Sequence, residues 1–250
     1  MLHGLLPHKV VVHLHAVEIL AHLVRADYLA TFKKLIGGTI SWCAIDYFKP
    51  GAHLAAAVSA GLLQQSDTEV VFLQNHGVVV GGSCIADIEI IMQKLMTLLK
   101  NNINPLSVDR FANSSALLLQ TQNYFLCNDP EVNQLATNKC LSSRLEREWV
   151  LYPDHAVFLG GQAAILERTL NTVNMDTIFD NKPPFIFYIG SGVFVSKSAT
   201  SAQKVQLRCY YDVLIRQPAN VKLIVLAENS ISELLDWDAE KYRQIECAKL

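Results

Sequence analysis

The chain has 250 residues, 51% of them hydrophobic and 18% charged, enough to bury a substantial core in one domain or two. A formal net charge of −2, with acidic and basic residues interspersed, gives no electrostatic case for nucleic acid or a membrane surface, and no run of about 18 apolar residues could span a bilayer. The first residues lack the basic flank and long apolar core of a signal peptide, and six cysteines without a C-x-x-C pair suit reduced, mostly buried thiols, so a cytoplasmic protein without a disulfide framework is expected.

Taken in chain order, residues 9–15 read as a strand, since Val10-Val11-Val12 is β-branched and Pro7 marks a turn before it. Residues 16–35 read as one amphipathic helix, with Val17, Leu20, Leu23, Val24 and Leu29 near helical spacing and Gly37-Gly38 ending it. A short strand over 39–45, a Pro50-Gly51 turn and a helix over 53–65 follow. Residues 70–73 and 78–80 form a hairpin around Asn75-His76-Gly77, and residues 85–99 a helix whose stripe of Ile85, Ile88, Ile91, Met92, Leu95, Leu98 and Leu99 is core. Asn101 to Pro105 breaks the pattern, so the expected domains are 1–105 and 106–250.

Three histidines stand out. Residues i and i+2 of a strand share a face, so His13 and His15 project side by side, and His76 sits in a tight turn after another apolar run. Any one histidine alone is more often a satisfied core or rim side chain. Together they read as a three-imidazole site for zinc or another divalent cation, with a coordination position left open. Neutral ligands add no negative charge, so the cation would act as a Lewis acid.

At these residues the chain resembles the class II aldolase/adducin family. The stretch from Leu5 to Glu18 is similar to its "viHtHp" strand, Asp46 to Ala55 to its "y-x-x-pGt-x-la" turn into a helix, and Val70 to Gly82 to its "a-v-l-L-x-n-H-G-v-v-v-x-G" hairpin. The gap of 61 residues from His15 to His76 (76 − 15) is similar to the family's spacing. The resemblance implies an α/β chain with an aldolase/adducin-like three-layer α/β/α fold, zinc at His13, His15 and His76, and retro-aldol cleavage of a sugar or sugar phosphate through a metal-stabilised enediolate. It also implies a homo-oligomer. The family carries glycine- and serine-rich phosphate loops and an acid/base carboxylate before the histidine pair, whereas here no Asp or Glu precedes Glu18. Met1-Leu2-His3 resembles the tail of the family's "E-t-x-x-H" helix. An N-terminally truncated chain is therefore expected, with its catalytic carboxylate upstream of Met1 and its activity impaired, loss of a general base costing about 10²–10⁴-fold. The competing reading is a non-catalytic, adducin-like scaffold or interaction protein.

The second half shows self-similarity at an offset of 115 residues (192 − 77): Phe72 to Val80 aligns with Phe187 to Val195, and Ser83 with Ser198, each leading into a helix. Pro153 to Gly160 is aligned with Pro7 to Leu14. Residues 106–250 thus read as an α/β, degenerate aldolase-like half without the ligands, Ser191 standing where His76 stands. Coincidence is the competing reading, since apolar strands broken by glycine turns recur in α/β sheets. This half also resembles the extension of longer rhamnulose-phosphate-aldolase-like bacterial proteins, some of which carry a dehydrogenase. Gly160-Gly161 and Gly190-Ser191-Gly192 fail the dinucleotide-binding spacing.

Lesser candidates read as structural. Glu18 is a solvated helix residue or a support for a metal ligand, His53 a helix-capping residue, Asp46 and Tyr47 part of a turn that could reach a substrate, and His155 part of an Asp154-assisted turn. His3, His8 and His22 have no partner pattern, and residues 237–243 read as a docked C-terminal helix.

Overall fold

The computed structural model describes residues 2–101, 103, 119–120, 122–167, 173–174 and 176–247. They group into two units, Met1–Ile103 with Leu151–Pro153 and Arg216–Leu226, and Asn104–Val150 with Asp154–Ile215 and Ala227–Leu250. Of the residues 101–105 placed at the expected boundary, 102, 104 and 105 lie outside those described. The fold is mixed α/β, with two four-stranded sheets that each combine parallel and antiparallel pairs.

The first unit opens with a 3-10 turn at Leu2–Gly4 and continues through β1 (Val10–Leu14), α1 (Val17–Leu23), α2 (Tyr28–Leu35), β2 (Trp42–Ile45), α3 (Ala52–Gln64), β3 (Val70–Leu73), β4 (Gly77–Gly82) and α4 (Ile85–Leu98). Its sheet runs β1-β4-β3-β2, with β4 antiparallel to both neighbours and β2 parallel to β3. Alternation along the strands sorts the core into two layers. Val10, Val12, Val70, Phe72, Val78 and Val80 pack with Leu23, Phe32 and Leu95 of α1, α2 and α4. Val11, Val71, Leu73 and Val79 pack with Leu54 and Val58 of α3. Helices therefore cover both faces, and strands buried on both sides explain the near-continuous apolar runs.

One expected element is different. The single helix over 16–35 is two helices, because residues between them pair with a distant segment: Ala26 N–H donates to Lys222 O at 2.9 Å, Ile224 N–H donates to Val24 O at 2.8 Å, and Arg25 bridges Leu223. The buried Arg25 guanidinium then donates to Gln217 Oε1, His22 Nδ1, Asn101 Oδ1 and Arg216 O. His22 Nε2–H in turn donates to Leu99 O at 3.0 Å. Burial, with Arg25 beside it, pushes the His22 pKa down to about 4. Glu18 accepts from Asn101 and pairs with Arg216 at 2.9 Å; burial alone would raise its pKa, but these partners hold it below the usual range.

In the rest of the chain, β5 (Leu119–Gln120) and β8 (Val173–Asn174) form a two-stranded parallel ladder. The main elements are β6 (Tyr124–Leu126), α5 (Gln134–Thr137), α6 (Lys139–Leu145), α7 (Pro153–Leu159), β7 (Ala164–Leu166), β9 (Phe185–Tyr188), β10 (Gly192–Ser196), α8 (Ser201–Leu214), α9 (Glu228–Leu235) and α10 (Asp238–Cys247). The second sheet runs β6-β10-β9-β7, with β10 antiparallel to both neighbours and β7 parallel to β9. That is the order and sense of the first sheet. One alignment within the second half is corrected: Pro153 to Leu159 is a helix, opened by a proline suited to a first helical turn, and the strand standing where β1 stands is β6. His155 on α7 is wholly buried between Trp149 and Tyr210, at ring distances of 4.4 and 4.6 Å, and burial pushes its pKa down to about 3. The expected C-terminal helix is α10, whose Arg243 pairs with Asp154 and Glu240. Among the described residues no helix is long and apolar enough to cross a membrane.

Candidate metal centre

The β1–β4 register fixes where the histidines point. His13 lies opposite Val79, and Leu14 opposite Val78. His13 therefore shares the face of Val11 and Val79, the side covered by α3. His15 lies just beyond the end of β1. Because β1 runs antiparallel to β4, the end of β1 meets the start of β4, where the turn from β3 delivers His76. Asn75 makes that turn in the left-handed region, with φ of 51°, a conformation asparagine tolerates better than most residues. His76 N–H then donates to Leu73 O at 3.1 Å.

The three rings converge. Their centroids lie 4.9 Å (His13–His15), 4.9 Å (His13–His76) and 5.1 Å (His15–His76) apart, and one ring nitrogen from each falls within 4.8 Å of the other two. His13 and His15 are half-buried and His76 is buried. His13 Nδ1–H donates to Val78 O at 3.1 Å, which fixes the tautomer and leaves the Nε2 lone pair facing the other rings. His15 Nε2 lies 3.1 Å from that Nε2. A tetrahedral zinc with bonds of about 2.0–2.1 Å spaces its nitrogens by roughly 3.3 Å, close to the His13–His15 spacing of 3.1 Å. A ring held through its second nitrogen by a carbonyl is also the usual support of a metal-binding imidazole. Among the described residues this is the one cluster of three such donors.

Gly77 makes the approach possible. A Cβ built there would stand 2.6 Å from Leu14 O, 2.7 Å from His15 Cδ2 and 3.3 Å from His13 Cε1. A side chain at this point would occupy the space that the histidine pair fills.

Glu18, His53, Asp46 and His155, also singled out from sequence, are not among the donors of that cluster. Glu18 is engaged with Asn101 and Arg216, His53 is exposed in the first turn of α3, and Asp46 is exposed after β2 with Tyr47 half-buried beside it. His155 belongs to the aromatic packing of α7. Sequence reasoning missed the surroundings of the three rings: the Val78 carbonyl that accepts from His13, the vacant Cβ position of Gly77, and the Asn75 side chain bonded to Leu151 O and Ile224 O. Only the Asn-His-Gly turn signal hinted at them.

Residues 2–103 match the family model of the class II aldolase and adducin N-terminal domain. Searches of curated proteins and of solved structures find no match to the chain.

Proposed function

We infer from residues 2–103, a class II aldolase and adducin domain, that this chain binds one divalent cation through His13, His15 and His76 and is an aldolase-type lyase acting on a sugar or sugar phosphate. The observation that carries the reading is the convergence of three imidazoles, with His13 held in the metal-ready tautomer by Val78 O. Zinc is the ion this all-nitrogen set suits best. When bound, the cation supplies Lewis acidity next to the carbon–carbon bond that breaks, with its charge undiminished by neutral ligands.

The chain's own residues have defined parts in this reading. His13 and His15 form one half of the seat, His13 paired within the β1–β4 ladder and His15 following directly on its last pair. His76 closes the seat from the hairpin turn, and Gly77 keeps it open to all three rings. With their lone pairs engaged, these histidines cannot also move a proton, so the aldol step requires a further acid/base group. We further read residues 106–250 as an α/β extension that repeats the first half in degenerate form, supported by the shared strand order and the offset of 115 residues (192 − 77) between Gly77 and Gly192. A homo-oligomer in the cytoplasm completes the reading.

A scaffold without chemistry is the alternative. It is disfavoured by the donors themselves: the second sheet keeps the topology without such a set, so the fold alone does not demand three histidines at these points. The test is metal analysis and zinc titration of the purified full chain. About one ion per chain is expected, with His76→Ala losing more than about 100-fold in affinity, beyond the scale seen when only a ligand's support is lost. A chain that ignores added zinc contradicts the reading.

A further inference from the structure

We propose that Asn75 is a positioning residue for the candidate metal centre: its side-chain amide latches the turn that carries His76 onto the backbone carbonyls of Leu151 and Ile224, both outside the family-matched residues 2–103. The part of this proposal that concerns metal rests on the function proposed above.

Asn75 is wholly buried and left-handed, with φ of 51°. Its Nδ2 donates to Leu151 O at 2.8 Å and to Ile224 O at 2.7 Å, and its backbone N–H donates to Leu23 O at 3.2 Å. Two carbonyls facing one amide nitrogen settle which way the side chain points, since an oxygen there would meet two other acceptors. Asn75 Oδ1 accepts no hydrogen bond among the described residues, so the amide is held through its donors alone.

The segment carrying the Ile224 carbonyl is itself anchored. Ile224 N–H donates to Val24 O at 2.8 Å, and the neighbouring Leu223 bridges Arg25, so the strip of chain that receives Asn75 is pinned along the break between α1 and α2. All of these residues belong to the first unit. The latch therefore fixes the residue immediately before His76 by two side-chain bonds and one backbone bond. His13 is fixed independently by the β1–β4 ladder, and His15 follows directly on the ladder's last pair, Leu14 with Val78. Only His76 depends on the turn, and a ligand site loses function when one member drifts by about 0.5–1 Å.

A plainer role would be that Asn75 merely tolerates a left-handed turn. Glycine tolerates that conformation at least as well but has no amide, so Asn75→Gly separates the two roles. In the full chain, the latch predicts that Asn75→Gly weakens zinc binding about 10–100-fold, the effect typical of lost ligand support. It also predicts faster hydrogen exchange at the Asn75 and His76 amides in the metal-free chain, with the exchange of β1 unchanged. Unchanged zinc affinity together with unchanged exchange overturns the proposal. If the unmodified chain binds no zinc, the metal reading fails by itself, and the exchange measurement still decides whether the latch exists. Should the variant not fold, the side-chain amide protons of Asn75 in the unmodified chain provide the answer. Slow exchange supports the latch, and exchange as fast as that of an exposed asparagine overturns it.

Discussion

The two sheets of this chain share a strand order and strand sense, yet they present different chemistry at matching points. In the first, His13 faces Val79 across the β1–β4 ladder and His76 precedes Gly77. In the second, Leu126 faces Phe194 across β6–β10, Asn128 stands two residues on, and Ser191 precedes Gly192. Both glycines serve close approach: a Cβ at Gly77 would strike Leu14 O and His15, and one at Gly192 would strike Leu126 Cδ1 at 2.7 Å and Asn133 Oδ1 at 3.0 Å. In the second unit that crowding is apolar and amide, and the face around it is the buried cluster of Tyr124, Ala164, Leu166, Ile186, Tyr188 and Phe194. Building the fold and gathering three imidazoles at one point are therefore separable tasks. The backbone and the core answer for the first, and three side chains with their supports answer for the second.

The largest effects should be blind to this difference. Phe72 and Phe187 occupy the same place in the two sheets, opposite Val78 and Val193, and both are wholly buried. Phe72 packs on Phe32 and Trp42 at ring distances of 4.5 and 5.6 Å, and Phe187 on Trp149 at 5.3 Å. Truncation of either to alanine should cost about 3–5 kcal/mol in denaturant unfolding. An effect confined to one of them would break the equivalence of the two cores.

Substitution of the paired glycines should separate the units. Gly77→Ala and Gly192→Ala should each destabilise by about 1–3 kcal/mol, through overpacking in both cases and through a φ of 140° at Gly192. Only Gly77→Ala should also weaken zinc binding, as read by titration, because only there does the new methyl meet the histidine pair. Equal effects on zinc would mean that the seat is not where the three rings converge.

Much of this comparison is visible in sequence. The hairpins β3–β4 and β9–β10 carry long β-branched and aromatic runs around glycine turns, so their offset of 115 residues (192 − 77) maps strand onto strand. The histidines are legible because strand periodicity places His13 and His15 together and the Asn-His-Gly turn marks the third. Other features have no local signature. The break between α1 and α2 contains neither glycine nor proline and arises from pairing with residues 222–224. β6 is three residues long, with Phe125 and Leu126 both 40% exposed, too short for periodicity to register. The helix at Pro153 imitates a strand in its apolar content. The Asn75 latch depends on carbonyls 76 and 149 residues away, which no reading of neighbours could reveal.

A further effect falls on pH dependence, through two buried histidines, His22 in the first unit and His155 in the second. The His22 pKa is lowered from 6.5 to about 4 by burial and by Arg25, against the opposing pull of the Leu99 carbonyl, Glu18 and Asp27. That of His155 is lowered to about 3 by burial among aromatic rings. In both cases the unfolded chain takes up a proton before the folded chain does. Stability is therefore full above about pH 6.5 and falls as pH drops toward 4 and then 3, by up to about 1.4 kcal/mol per unit for each group. His155→Phe should lessen the decline from about pH 6.5 down to about 3 in acid-unfolding curves. A slope unchanged by the substitution would mean that His155 is not held neutral.

The central claim is that three of the eight histidines, and no others, meet at one ion. Zinc titration of the full chain, followed through the ring signals of individual histidines by NMR, tests it most directly. The account predicts that His13, His15 and His76 shift together and saturate at about one ion per chain while the remaining histidines stay in place. Saturation at other histidines, or no shift at these three, would contradict it.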